Sequence, residues 1–549
     1  MRSLPASLML IFVVACAFLH ACARYTVDYH RIALLTPSVI SNEYAPFFYT
    51  DELVGYENRN PRLGRDRLRN VADWAKELQL DVSAETIMDM LYGTKLADWV
   101  MAISQGASKL GWQHNPVWCA ISERSDLLEY MVWIKGYEKP GMFYEGWRKK
   151  KCPGSIPITY TRDFKKRALA GYAAAAENSF LKERYAYQLL LLAYYAKDGA
   201  AMTTYFDCHF VKEEGVLADW ARFHYANHLK EPFRFQVEMA NAFRYAPEKA
   251  VAAHMRIKYW PFTYSSYRLH KILATTCNNA ERSNTYAMMA LHTRSHALKY
   301  IWEAYRLDPT NPVLDLIVLR EFNKVETWLM SPSLTKSKIN VLINYSGFGD
   351  WQQKQQELRE KNHLKDHEYV RELRDFIRHY KSPGGPPFIE EILRAEAALL
   401  DGDYEEAYDL SGGLLLLEGE LGKQAKIINY FAFLYTQPID QPEVKEQLAN
   451  YLLEMEAFLI PNQEKELERI DINLIAGLSR AAAARAQTRT RAWILCPNGR
   501  FRQVTQTLFQ KSIPDQRYFP SGAARKDVHQ QGRCGQGIND PGSQGKTTW

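Results

Sequence analysis

The sequence predicts an all-α protein, an α-solenoid of antiparallel helix pairs stacked one after another, and three observations carry that prediction. Apolar residues recur at spacings of three and four along most of the chain, as the buried stripe of an amphipathic helix requires. Gly, Pro and Asp break these stripes at short intervals, so that one helix follows another across brief turns. The 549 residues are 47% apolar, with 33 Tyr and 13 Trp. That is ample for a core, and so many large rings suit wedges between helices, or surfaces on which sugars stack.

Taken in order, residues 1–22 read as an export signal: Arg2 supplies a positive start, and LMLIFVVACAFL is an apolar run of 12, too short to span a bilayer. Two cuts fit its end. Leu19-His20-Ala21-Cys22 resembles a bacterial lipoprotein box, with Cys22 as the lipid attachment residue, whereas Ala21-Cys22-Ala23 suits an ordinary signal peptidase. Residues 23–62 form a short irregular N-terminal arm in which TVDYHRIALL is either a brief strand or an extended segment laid along helices. From residue 63 the period turns helical. RDRLRNVADWAKEL puts Leu68, Val71, Trp74 and Leu78 on one stripe, and AETIMDMLYG, LADWVMAISQ and SDLLEYMVWIKGYE continue the rhythm.

The basic loop at 149–157 is the first punctuation within a helical array that runs to residue 484. Beyond it, RYAYQLLLLAYYAKDGAAMTTYFDCHF reads as helix, Lys197-Asp198-Gly199 turn, helix. In HALKYIWEAYRLDPTNP, Ala297, Ile301, Ala304 and Pro309 follow as small, large, small and Pro. The alanines admit a close neighbour, Ile301 fills the groove, and Pro309 stops the helix, with a restart near Pro312. The stretch NYSGFGDWQQKQQELREKNHLKDHEYVRELRDFIRHY, Asn344 to Tyr380, is a long charged helix candidate with few apolar residues per turn, expected to be a solvated helix or an active loop region, and SPGGPP at 382–387 breaks it. FIEEILRAEAALLDGDYEEAYDLSGGLLLLEG then gives a full unit in which Tyr404 and Ala407 take the aromatic and small places. Residues 485–549 lose periodicity and hold seven of the 29 glycines, which predicts a disordered basic tail or the product of a shifted reading frame.

The units at 184–210, 297–309 and 388–417 resemble tetratricopeptide-like repeats. With the lipobox-like start, that resemblance implies an envelope-associated bacterial scaffold, in the outer membrane or periplasm, binding proteins or peptides along its helices. An α/α toroid that binds or cleaves polysaccharide is the alternative.

Charge narrows the partners. Eleven Lys and Arg against Asp515, Asp527 and Asp540 give the tail a net of +8 and leave −2 for the rest, out of +6 overall. The body therefore has no basic field for nucleic acid. No CxxC occurs among the eight cysteines. The pairs His224/His228, His292/His296 and His363/His367 share helix faces but lack the HExxH glutamate. Glu213/Glu214, Glu390/Glu391 and Asp401/Asp403 lie at helix ends or turns, where acids complement the dipole. The residues nominate no catalytic group, metal or cofactor.

Overall fold

The computed structural model describes Leu34, Val39 and Ile40, residues 65–137, 158–176, 179–211, 214–258, 266–293, 295–334, 351–439 and 441–459, together with Leu478 and Ala481. Cys22 and the 485–549 tail lie outside the described residues. Every regular element among them is helical. The contact pattern divides the chain into two units, 1–437 and 438–549.

In the first unit, α1 (Arg65–Leu78), α2 (Ala84–Met88), a π-helical turn (Asp89–Gly93), α3 (Leu96–Gln105), α4 (Pro116–Ser122), α5 (Ser125–Tyr137), α6 (Ile158–Ala174) and α7 (Phe180–Ala196) enclose an aromatic core. Trp99, Trp112 and Trp118 meet at centroid distances of 5.4 to 5.9 Å, and Trp133 stacks on Phe164 at 4.6 Å. Packing against helices, not display, therefore absorbs much of the aromatic excess. Gly171 of α6 makes room for α7, since a Cβ there would fall 2.2 Å from the Tyr185 ring. Val71, Trp74 and Leu78 are buried as the stripe predicts, but Leu68 is 45% exposed. It sits near the start of α1, beyond the cover of that core.

The helices that follow are α8 (Gly199–His209), α9 (Val216–Ala226), α10 (Pro232–Tyr245), α11 (Ala250–Lys258), α12 (Ser266–Ala274), α13 (Asn279–His292), α14 (Leu298–Leu307), α15 (Val313–Leu334), α16 (Trp351–His379), α17 (Ile389–Asp401), α18 (Tyr404–Gly412) and α19 (Gly419–Thr436). Neighbours in sequence pack together, as in the pairs α13·α14, α16·α17, α17·α18 and α18·α19. A second set of contacts links α10 to α13, α13 to α15, α15 to α17 and α17 to α19. These five form an inner row, and α14, α16 and α18 are the more exposed helices between them. The α10–α13 contact passes over α11 and α12, so the repeat is interrupted there.

Two of the turns share one device. Asp198 N–H and Asp403 N–H each reach back 2.9 Å to a carbonyl in the preceding helix, Ala193 and Ala398. Lys197 and Gly402 supply the left-handed residues at φ 56° and 85°, and the Asp side chain then caps the next helix. This repetition is what makes the Lys197-Asp198-Gly199 and Asp401-Gly402-Asp403 signals equivalent.

Ala297, Ile301 and Ala304 are fully buried between α13, α14 and α15, and Pro309 is exposed in the turn that follows α14. The Ala304 carbonyl accepts from Ser283 Oγ of α13 at 2.9 Å. Ala407 is fully buried on α18, and half-buried Tyr404 stacks on Tyr435 at 4.3 Å. The charged α16 differs from its expected solvated state: Tyr369, Val370, Leu373, Phe376 and Ile377, with Tyr380 just beyond it, are buried on one face. Six apolar residues at helical spacing suffice for a complete inner stripe despite the surrounding charge. Of the N-terminal arm, Leu34 and Val39 are buried, and Leu34 N–H donates to Glu326 of α15 at 2.9 Å.

In the second unit, α20 (Pro442–Leu459) buries Leu448, Leu452 and Met455, spaced by four and three. No described helix is long and apolar enough to cross a membrane.

Candidate functional site

A cavity of about 180 Å³ opens where α1, the π-helical turn, α5, α7 and α9 converge. Each segment delivers its residues by a local rule. On α1, Asn70 and Trp74 are one turn apart and share a face. The π turn is wider than an α turn and projects Leu91 and Tyr92 toward the cavity; such turns recur at functional sites. Thr94 closes it, donating to the Met90 carbonyl at 2.6 Å and accepting from Trp99 Nε1 at 2.8 Å, while Lys135 Nζ donates to the Thr94 carbonyl at 3.0 Å. Tyr130, Met131 and Ile134 come from one face of α5, and Leu217 and Trp220 from one face of α9.

The polar centre is Arg184 on α7, a helix started by Ser179, whose Oγ accepts from Lys182 N–H at 3.1 Å. The Arg184 guanidinium lies 3.9 Å from the Phe180 ring centroid and 4.9 Å from that of Trp74. Nη1 donates to Asn70 Oδ1 at 2.8 Å and Nη2 to Asp73 Oδ2 at 2.6 Å. Nε is sealed from solvent and has no partner, although the residue is only 4% exposed. Asn70 in turn donates through Nδ2 to the Tyr92 hydroxyl, which ties the π turn to α1. Half-buried Asn70, Tyr92, Ile134, Gln188 and Trp220 form the rim.

Among the described residues that line the cavity none is Asp or Glu, so these supply no acid–base pair. Asp73 stands behind it, committed to Arg184. Beyond Trp220 on α9, His224 packs against Tyr194 and Phe223, and burial with the nearby Lys249 pushes its imidazole down to about 3. It is neutral at physiological pH and serves as packing.

The other residues singled out by the sequence lie elsewhere. His292 stacks on His254 at 4.2 Å, His296 stacks on Tyr369 at 3.9 Å and meets Asp366 Oδ1 at 2.9 Å, and His363 meets His367 edge to face. Among the described residues no group of three His, Cys, Asp or Glu could hold a metal. Asp401 and Asp403 both bind the Arg374 guanidinium, and Glu390 takes Lys381 and the Ser382 N–H. These are structural ties. The repeat-packing residues Ala297, Ile301, Ala304, Tyr404 and Ala407 do not reach the cavity. Its own residues span positions 70 to 220 in five segments, and no spacing along the chain marks them as a set. The one signal that pointed there was the number of Tyr and Trp, five of which line it.

No known protein family, curated protein or solved structure matches this chain.

Proposed function

We propose that the protein is an exported helical-repeat scaffold of the bacterial cell envelope, held at a membrane through Cys22, which binds a protein or peptide partner without catalysing a reaction. The observation that supports this reading best is the aromatic cavity: concave, lined by apolar and aromatic side chains with a few placed polar groups, as binding sites generally are. Its wall offers anchors of the type that dominate protein interfaces, Trp74, Trp220, Tyr92 and Arg184. A polysaccharide-cleaving site would need two carboxylates, and the described residues of this wall include none.

The test is a peptide array probed with the mature chain and with its Ile134→Trp variant, whose added ring blocks the mouth. The wild type should bind a subset of peptides, and the variant should lose tenfold or more in affinity for them. Failure of every peptide to bind, or equal binding by both proteins, would contradict the proposal.

A further inference from the structure

We infer that the cavity receives a single six-membered aromatic ring with an uncharged backbone at its rim, as supplied by a Phe or Tyr side chain within a peptide. The inference rests on the peptide-binding reading above and names what the site would recognise in the peptide.

Size comes first. An apolar cavity of about 150 Å³ holds benzene, so about 180 Å³ takes one ring with few substituents. The chemistry of the walls then selects the kind of ring. Leu91, Met131, Ile134 and Leu217 offer only hydrocarbon, and a sugar hydroxyl pressed against them loses its water with no replacement. An aromatic ring loses nothing there and gains edge and face contacts with Trp74 and Trp220.

Charge fixes what can enter beside the ring. Asn70 and Asp73 hold Arg184 Nη1 and Nη2, and the Asp73 carboxylate 2.6 Å from Nη2 already balances the guanidinium. No other Lys or Arg stands among the described residues that line the cavity to offset an anion, so the group beside the ring is neutral. Gln188 and Asn70 at the rim have amides that suit the main chain on either side of the buried side chain.

The experiment uses the mature full chain labelled with 5-fluorotryptophan, the Trp220 signal being assigned through Trp220→Phe. N-acetylphenylalaninamide should shift that signal and saturate. N-acetylleucinamide and methyl glucoside should bind at least about tenfold more weakly, and N-acetylphenylalanine, which carries a carboxylate, no more tightly than the amide. Ile134→Trp should abolish the shift with an unchanged thermal melt; if that variant unfolds, Gln188→Trp, also at the rim, replaces it. A larger response to the glucoside, tenfold tighter binding of the carboxylate, or no response to any probe would overturn the inference. Array peptides bound without an aromatic residue would also sink it and leave the broader proposal standing. An aromatic probe seated in the cavity while no peptide binds would do the reverse.

Discussion

Glu396 sits fully buried on α17, neither of its oxygens accepts a hydrogen bond, and the group that faces it is another carboxyl, Glu326 of α15. Burial and that neighbour push the Glu396 carboxyl well above its usual 4.5, so it keeps a proton and turns it toward Glu326. Glu326 also accepts from Leu34 N–H and from Asn323 Nδ2. The folded chain thus holds a proton that the unfolded chain gives up. The associated stability is complete below about pH 4.5 and is lost as pH rises toward the folded value. Glu396→Gln keeps a donor for Glu326 and cannot titrate. In urea melts it should match the wild type near pH 5 and exceed it by about 1–3 kcal/mol near pH 8. A difference between the two proteins that stays the same from pH 5 to pH 8 would contradict a proton held at Glu396. The pair was not legible in the sequence, where Glu396 is one acid in an amphipathic helix and Glu326 another some 70 positions away. Only the stacking of α15 on α17 makes them neighbours.

At the scale of elements, α15 shows what the repeat pattern conceals. From Val313 to Trp328 nearly all of it is buried, including Asp315, Glu321, Asn323, Lys324 and Glu326. Asp315, Glu321, Lys324 and Glu326 are each tied to another helix or loop. Glu321 pairs with Lys324 at 2.5 Å, accepts from the Tyr369 hydroxyl, and takes Ala297 N–H at the start of α14 at 3.0 Å. Asp315 accepts from the Tyr380 hydroxyl and Ser382 Oγ, each at 2.6 Å, and from Gly384 N–H at 3.2 Å. The breaker between α16 and α17 is therefore fastened to the inner row, where the sequence showed only a loop. Asp315→Ala would leave the buried Tyr380 hydroxyl without that acceptor and should cost about 3 kcal/mol in a chemical melt. Asp315→Asn, which keeps an acceptor, should lose less than half of that; equal losses would mean that packing, not these hydrogen bonds, sets the cost. Helices and turns were readable from local chemistry, because stripes, caps and Gly or Asp turns act over a few residues. The burial of α16 and the polar interior of α15 were not, because charged neighbours in sequence hide which face a later helix covers.

For the whole molecule, the all-helical array and its interrupted inner row follow from repeated use of one packing mode, small residues against large ones across short turns. The start of the chain adds a separate claim. If Cys22 carries lipid, Cys22→Ser should move the protein from the membrane fraction to the soluble fraction while leaving its melt unchanged; retention of the variant at the membrane would rule out that anchor. The cavity was out of reach of sequence reading for a physical reason: Asn70, Tyr92, Tyr130, Arg184 and Trp220 become a site only when five helical segments meet. Hydrogen exchange of the mature chain, with and without a saturating Phe-containing peptide chosen from the array, tests that site most directly. The account predicts slowed exchange at 89–93, 130–134 and 217–220, with α13 through α19 unchanged. Slowed exchange confined to α13 through α19, with none around the cavity, would contradict it.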